Sequence, residues 1–122
     1  MVRCFRRYLE SRGHGAMLLV LAPTGKAAVG IGGHTAWAGL GYTIKGPPKS
    51  GNCPAAPFLR RKENWASSEV MFVVVDEVGM LAAAELSNID TMCGRLAGTV
   101  GLRFGGLHII TSGDFSQKGL YK

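Results

Sequence analysis

Three short apolar runs place the strongest limit on how this 122-residue chain can fold. They cover residues 17–22, 70–75 and 107–111. Each is too short for a buried helix and suits a strand covered on both faces. The middle run holds six apolar residues, four of them valine, and is the clearest strand signature in the chain. The stretches around the runs are patterned as helices. Val2, Phe5 and Leu9 fall on one face of a helix predicted over Val2–Ser11, with arginines opposite and Gly13 and Gly15 closing it. Gly25–Ile31 predicts a short helix stopped by Gly32-Gly33, and a second short helix is expected from Thr35 to about Leu40. Leu81, Leu86, Ile89, Met92, Cys93 and Leu96 recur at helical spacing up to a stop at Gly98. Strands separated by helices predict the α/β class, with a parallel sheet flanked by helices.

A chain of this length makes one domain at most. Residues 41–58 carry Pro47, Pro48, Pro54 and Pro57 plus three glycines and read as a surface loop, and residues 59–69 as a polar helix or turn leading into the next strand. A hydrophobic share of 47% and a mean hydropathy of +0.15 exclude a disordered composition. No apolar run approaches the roughly 18 residues of a membrane span, so no membrane partner is expected. Fourteen basic against eight acidic side chains give a net charge of +6. That excess suits a polyanion such as nucleic acid, or simply a mildly basic surface. Arg3, Arg6, Arg7 and Arg12 form one basic group and Arg60, Arg61 and Lys62 another. Cys4, Cys53 and Cys93 are far apart, and no spacing with His14, His34 or His108 suits zinc, so a reducing compartment is the natural expectation.

Parallel α/β sheets bind ligands at the carboxyl ends of their strands. Here each run opens there into a segment able to carry chemistry: Pro23-Thr24-Gly25-Lys26, then Asp76-Glu77, then Gly113-Asp114-Phe115-Ser116-Gln117. A buried strand ending in two carboxylates suits nucleotide hydrolysis. One can hold Mg²⁺, a hard cation that prefers oxygen, and the other can deprotonate an attacking water. The same pair could equally be a turn, or the acidic start of the next helix. Gln117 could hydrogen-bond a terminal phosphate or be a solvated loop residue. Thr24-Gly25-Lys26 resembles the end of a phosphate-binding loop but fails GxxxxGK[ST] on both sides, because the first glycine would fall at Val20 and the closing hydroxyl residue is Ala27. A Pro-Thr-Gly turn can still meet a phosphate through its N–H groups and the Thr24 hydroxyl. Trp37 and Trp65 could stack on bases or be half-buried.

Read together, these segments resemble the Pif-type superfamily-one DNA helicases, including the helicase part of Helitron-type transposons. Leu19 to Ala28 with Ile31-Gly32-Gly33-His34-Thr35 is similar to motif Ia. Val74-Val75-Asp76-Glu77-Val78-Gly79-Met80-Leu81 is similar to motif II, a Walker B box. Residues 104–110 with Gly113-Asp114-Phe115-Ser116-Gln117 are similar to motif III. The three blocks keep the family's order and span nearly the whole chain.

The resemblance implies part of the first RecA-like domain of an ATP-dependent motor moving five-prime to three-prime on single-stranded DNA. It implies roles in repair, recombination and telomere or genome maintenance, with ATP and Mg²⁺ as cofactors. Asp76 would bind Mg²⁺, usually through water, Glu77 would activate water and Gln117 would sense the γ-phosphate. Pro23, Thr24, Gly25 and Thr35 would lie along the DNA backbone. A nuclear location follows for a eukaryote, with the mitochondrion as the alternative, and an intracellular one for any organism.

The departures bear on activity. Gly79 stands where the family has serine, Trp37 where it often has histidine, and Lys118-Gly119-Leu120 where motif III runs on as Leu-Pro-Pro. No GxxxxGK[ST] occurs in the 122 residues. The expectation is a fragment lacking the Walker A strand and loop and the second RecA-like domain, which would be its partners in a longer protein. Because phosphoryl transfer depends on positioning, such a fragment should be inactive alone. In the family's sheet the Walker A strand is central, so without it neighbouring strands would be exposed. The alternatives are a non-catalytic single-stranded nucleic-acid-binding remnant or a non-functional gene fragment.

Overall fold

The computed structural model describes residues 1–40, 70–99 and 101–114. The expectations for residues 41–58, for residues 59–69 and for Gln117 lie outside the described residues.

Helix α1 (Val2–Ser11) forms as its apolar spacing predicts. A one-turn 3₁₀ segment, Gly15–Met17, leads into β1 (Leu18–Ala22). Then follow α2 (Gly25–Ile31), β2 (His34–Thr35), α3 (Ala36–Leu40), β3 (Phe72–Val75), α4 (Ala83–Ala97) and β4 (His108–Thr111). Two glycines close helices where the sequence placed stops: Gly32 after α2 at φ 64° and Gly98 after α4 at φ 74°.

The sheet has four strands in the order β2-β1-β3-β4, and every pair is parallel. The apolar runs anticipated three of these. The fourth, β2, corrects the helix expected to begin at Thr35. His34 and Thr35 pair with Leu21 and Ala22, and the helix starts one residue later.

Leu21 pairs with Val75, and Val73 with Ile109, so alternate residues of all three long strands share a face. One face packs Leu21, Val73 and Val75 under α3 and α4 with Leu40, Ile89, Met92 and Cys93. The other packs Val20 and Val74 against Val2 of α1, with Phe5, Ile31 and Ile110 around them. The result is a helix–sheet–helix sandwich in which Val73, Val74 and Val75 are almost wholly excluded from water. Phe5 meets Phe72 edge-on with ring centres 5.3 Å apart, tying α1 to the start of β3.

Arg6 anchors α2. Its guanidinium donates to the Ile31 carbonyl at 2.7 Å and to the Gly32 carbonyl at 3.1 Å. Arg3 donates to the Gly30 carbonyl at 3.2 Å. A helix ends in unpaired carbonyls and partial negative charge, so two cations there are favourable. Part of the amino-terminal basic group is therefore structural.

Candidate functional site

Parallel pairing brings the carboxyl ends of β1, β2, β3 and β4 to one edge, as the strand-end segments require. The register fixes the order along it. Ala22 pairs with Thr35, Leu21 with Val75, and Val75 with Thr111. The loops leaving β1 and β2 therefore lie together at one side, and those leaving β3 and β4 at the other. Adjacent strands are about 4.8 Å apart, so Thr35 and Asp76 sit about 10 Å from each other along the edge.

At the β3 side the chain turns immediately after Val75. The N–H of Asp76 donates to the Leu21 carbonyl at 2.9 Å, so Asp76 continues the β1–β3 ladder. Glu77 is left-handed, at φ 51° and ψ 39°, a conformation that costs a non-glycine residue on the order of 1 kcal/mol. The next N–H, of Val78, donates to the Ser112 carbonyl at 2.9 Å, and the N–H of Ser112 donates to the Val75 carbonyl at 2.9 Å. Val78 and Leu81 then bury their side chains in the core. The Asp76–Glu77 turn is thus tied to β1 on one side and β4 on the other. Both acids are half-buried, and neither carboxylate is paired with a described residue. Two carboxylates at a strand end, without a partner among the described residues, offer hard oxygens for one or two positions around Mg²⁺, the remainder falling to water and phosphate. Among the described residues no group of three or more His, Cys, Asp or Glu side chains could hold a metal unaided.

At the β1–β2 side two threonines cap two helices. Thr24 is extended and its hydroxyl oxygen accepts the Ala27 N–H at 3.2 Å. The Thr35 hydroxyl oxygen accepts the Ala38 N–H at 3.3 Å. A capping hydroxyl uses an acceptor lone pair and keeps its own proton to donate. Both hydroxyls can therefore stabilise their helices and still donate to a phosphate oxygen. Pro23 is half-buried, Thr24 and Gly25 are exposed, and Trp37 on α3 is 37% exposed. Gly33 crosses β1 so closely that a Cβ would stand 2.6 Å from the Val20 carbonyl oxygen. That contact holds the α2–β2 connection against the sheet.

Of the expected site residues, Asp76 and Glu77 meet at one end of the edge and Pro23, Thr24, Gly25 and Thr35 at the other. Sequence reasoning missed the left-handed Glu77 and the contacts of the β3 turn with β4. It also missed Asp90, whose carboxylate accepts the Phe104 N–H and pairs with Arg103 at 3.0 Å. That clamp sets the Arg103–Gly106 turn, where Phe104 and Gly105 both have positive φ, immediately ahead of β4. The adjacent Phe104-Gly105-Gly106 was the only signal of a tight turn there. A surface depression along α4, lined by Asp90, Arg95 and Arg103, lies away from the edge and contains none of the motif residues.

The family model for PIF1-like helicase matches residues 2–118. The ATP-dependent DNA helicase PIF4 of Trypanosoma brucei brucei is 35% identical over 103 residues, covering 82% of this chain and 12% of that protein. The crystal structure of Bacteroides sp. Pif1 in complex with ADP-AlF4 superposes with a TM-score of 0.69 at 27% identity, covering 93% of this chain and 26% of that one. The Bacteroides Pif1 complex with ADP-AlF3 and single-stranded DNA gives a TM-score of 0.65 at 25% identity, covering 86% and 24%. This chain therefore corresponds to about an eighth of the curated relative and a quarter of the solved ones.

Proposed function

Because the chain belongs to the PIF1-like helicase family, we propose that it is the part of a first RecA-like motor domain that hydrolyses ATP at one end of its sheet edge and grips single-stranded DNA at the other. The observation that carries this reading is the edge itself. Four parallel strand ends set a carboxylate pair, fixed by backbone hydrogen bonds, on the same edge as two threonine caps, Thr24 exposed and Thr35 half-buried.

In this reading Asp76 offers its carboxylate to Mg²⁺ through water. Bound Mg²⁺ supplies charge neutralisation for the phosphates. Glu77 orients the attacking water and accepts its proton, and Gln117 senses the γ-phosphate. Thr24 and Thr35 donate their free hydroxyl protons to DNA phosphates, with Pro23 and Gly25 forming the surface on which the backbone lies. Such contacts grip without reading sequence. Complexes of Bacteroides Pif1 with a nucleotide analogue and single-stranded DNA support both ligand classes.

The phosphate-gripping loop and the second motor domain would come from the remainder of a longer protein. The short coverage of the relatives supports this, and so does the sheet. Among the described residues β4 pairs on one side only, and its Ile109 and Ile110 are half-buried where the paired Val73 and Val74 are fully buried. A further strand could dock along that edge. Roles in DNA repair, recombination and telomere or genome maintenance, five-prime to three-prime movement and a nuclear location with a mitochondrial alternative rest on family resemblance. The test is magnesium-dependent ATP turnover. The 122-residue chain should show none. A longer protein that adds a GxxxxGK[ST] strand and loop and a second RecA-like domain should show turnover that Glu77→Gln abolishes. Turnover by the chain alone, lost in Glu77→Gln, would refute the division of labour.

A further inference from the structure

Gly113 stands against the Asp76–Glu77 turn in a way neither ligand role explains. A Cβ built there would lie 2.9 Å from the Val78 nitrogen, 3.3 Å from the Gly79 nitrogen and 3.4 Å from the Glu77 carbonyl carbon. All three are backbone atoms, so no side chain can swing aside to make room. The conformation of Gly113 itself does not demand glycine, because its φ lies outside the left-handed region occupied by Gly105 and Gly106. What demands glycine is the close approach.

The contact falls within a backbone clasp. Val75 and Ser112 are joined by the Ser112 N–H, and Ser112 and Val78 by the Val78 N–H, each at 2.9 Å. Ser112 therefore holds the turn at both ends, on either side of Asp76 and Glu77. Gly113 follows directly and packs onto the closing peptide. Inside the clasp Glu77 is held left-handed, and it is one of only two non-glycine residues with positive φ among the described residues. A strained conformation persists where its surroundings over-determine it. Here the surroundings are two hydrogen bonds from one residue and the bare Cα of the next.

We propose that Gly113 is a positioning residue for Glu77, its missing side chain letting the end of β4 close on the β3 turn and fix the direction of the Glu77 carboxylate. The importance of that direction rests on the water-activating reading of Glu77, whereas the clasp itself does not.

The test is solution NMR of the 122-residue chain, which reads the clasp without needing turnover. The wild type should show a scalar coupling across the Val78 N–H to Ser112 carbonyl hydrogen bond, with left-handed φ couplings at Glu77. Absence of either in the folded chain would overturn the proposal. Gly113→Ala should abolish the hydrogen-bond coupling and move the Glu77 couplings out of the left-handed range. Gly101→Ala, at a site with nothing within 4 Å, should leave both unchanged. A folded Gly113→Ala chain with unchanged Glu77 couplings would refute the positioning role. If Gly113→Ala does not fold, adding Glu77→Gly frees the turn to move aside and should restore folding. Failure of that rescue would place the cost elsewhere and overturn the proposal. A separate turnover measurement on Glu77→Gln in the complete motor decides the catalytic reading, so the two can fail independently.

Discussion

The backbone N–H of Asp76 donates to the carbonyl oxygen of Leu21 at 2.9 Å, so the first acid beyond β3 is still part of the ladder with β1. The chain backbone places this carboxylate, and no described side chain does. Asp76→Asn should therefore remove charge without moving the group. The unfolding free energy of the variant, measured in urea, should stay within about 0.5 kcal/mol of wild type. A larger loss would mean that the carboxylate supports the fold.

Single-stranded DNA binding should be weak, salt-dependent and insensitive to sequence. Thr24→Ala removes the hydroxyl donor and also the cap on α2, whose loss alone costs about 1 kcal/mol of stability. Thr24→Asn keeps a capping oxygen and serves as the paired variant. Fluorescence anisotropy with a labelled oligonucleotide should show about tenfold weaker binding for Thr24→Ala at constant salt, since one lost hydrogen bond to a charged phosphate is worth about 1.5 kcal/mol. Trp37→Ala should weaken binding by a comparable factor if its exposed ring stacks on a base, through the roughly 1–3 kcal/mol of such stacking.

Arg6 should behave as a structural cation. Arg6→Ala leaves the carbonyls of Ile31 and Gly32 without this donor and is expected to cost about 1–2 kcal/mol in chemical denaturation. The slope of DNA affinity against salt should hardly change, because a side chain committed to α2 neutralises no phosphate. Exposed Arg7 provides the contrast.

Cys93 should be inert while the domain is folded. Burial above all, and then the nearby Asp90 carboxylate, push its thiol up to about 12 from 9.0. Iodoacetamide at mildly alkaline pH should label exposed Cys4 and spare Cys93 until denaturant is added. The unfolded chain gives up this proton first. Through Cys93, stability is therefore full below pH 9.0 and falls as pH rises toward about 12. Alkaline denaturation of Cys93→Ala should lack that component.

How much of this was legible in the sequence depended on length and on pattern. The ten residues of α1 announce themselves because Val2 and Leu9 must both reach the core. The bounds of α2 were legible because a left-handed glycine stops it. Strand β2 was not, because two residues show no alternation and their pairing is decided by Gly33 lying against β1. Which residues stand at the edge could be read from the sequence, since Asp76, Glu77 and Thr24 lie just beyond runs that pattern as strands. Its geometry could not. The left-handed Glu77, the Ser112 carbonyl that holds its turn and the bare Cα of Gly113 are backbone relationships between segments more than 30 residues apart (77 to 112). No local pattern encodes them.

In the proposed function one sheet edge divides its work, with nucleotide chemistry at β3 and β4 and DNA at β1 and β2. The most direct test is steady-state ATPase kinetics of a complete motor carrying this chain, titrated with single-stranded DNA. Glu77→Gln should lower kcat by roughly 10²–10⁴-fold while leaving the DNA concentration for half-maximal activation unchanged. Thr24→Ala should raise that concentration about tenfold and leave kcat at saturating DNA unchanged. If the two substitutions move the same parameter, or if Glu77→Gln leaves kcat intact, the division is contradicted.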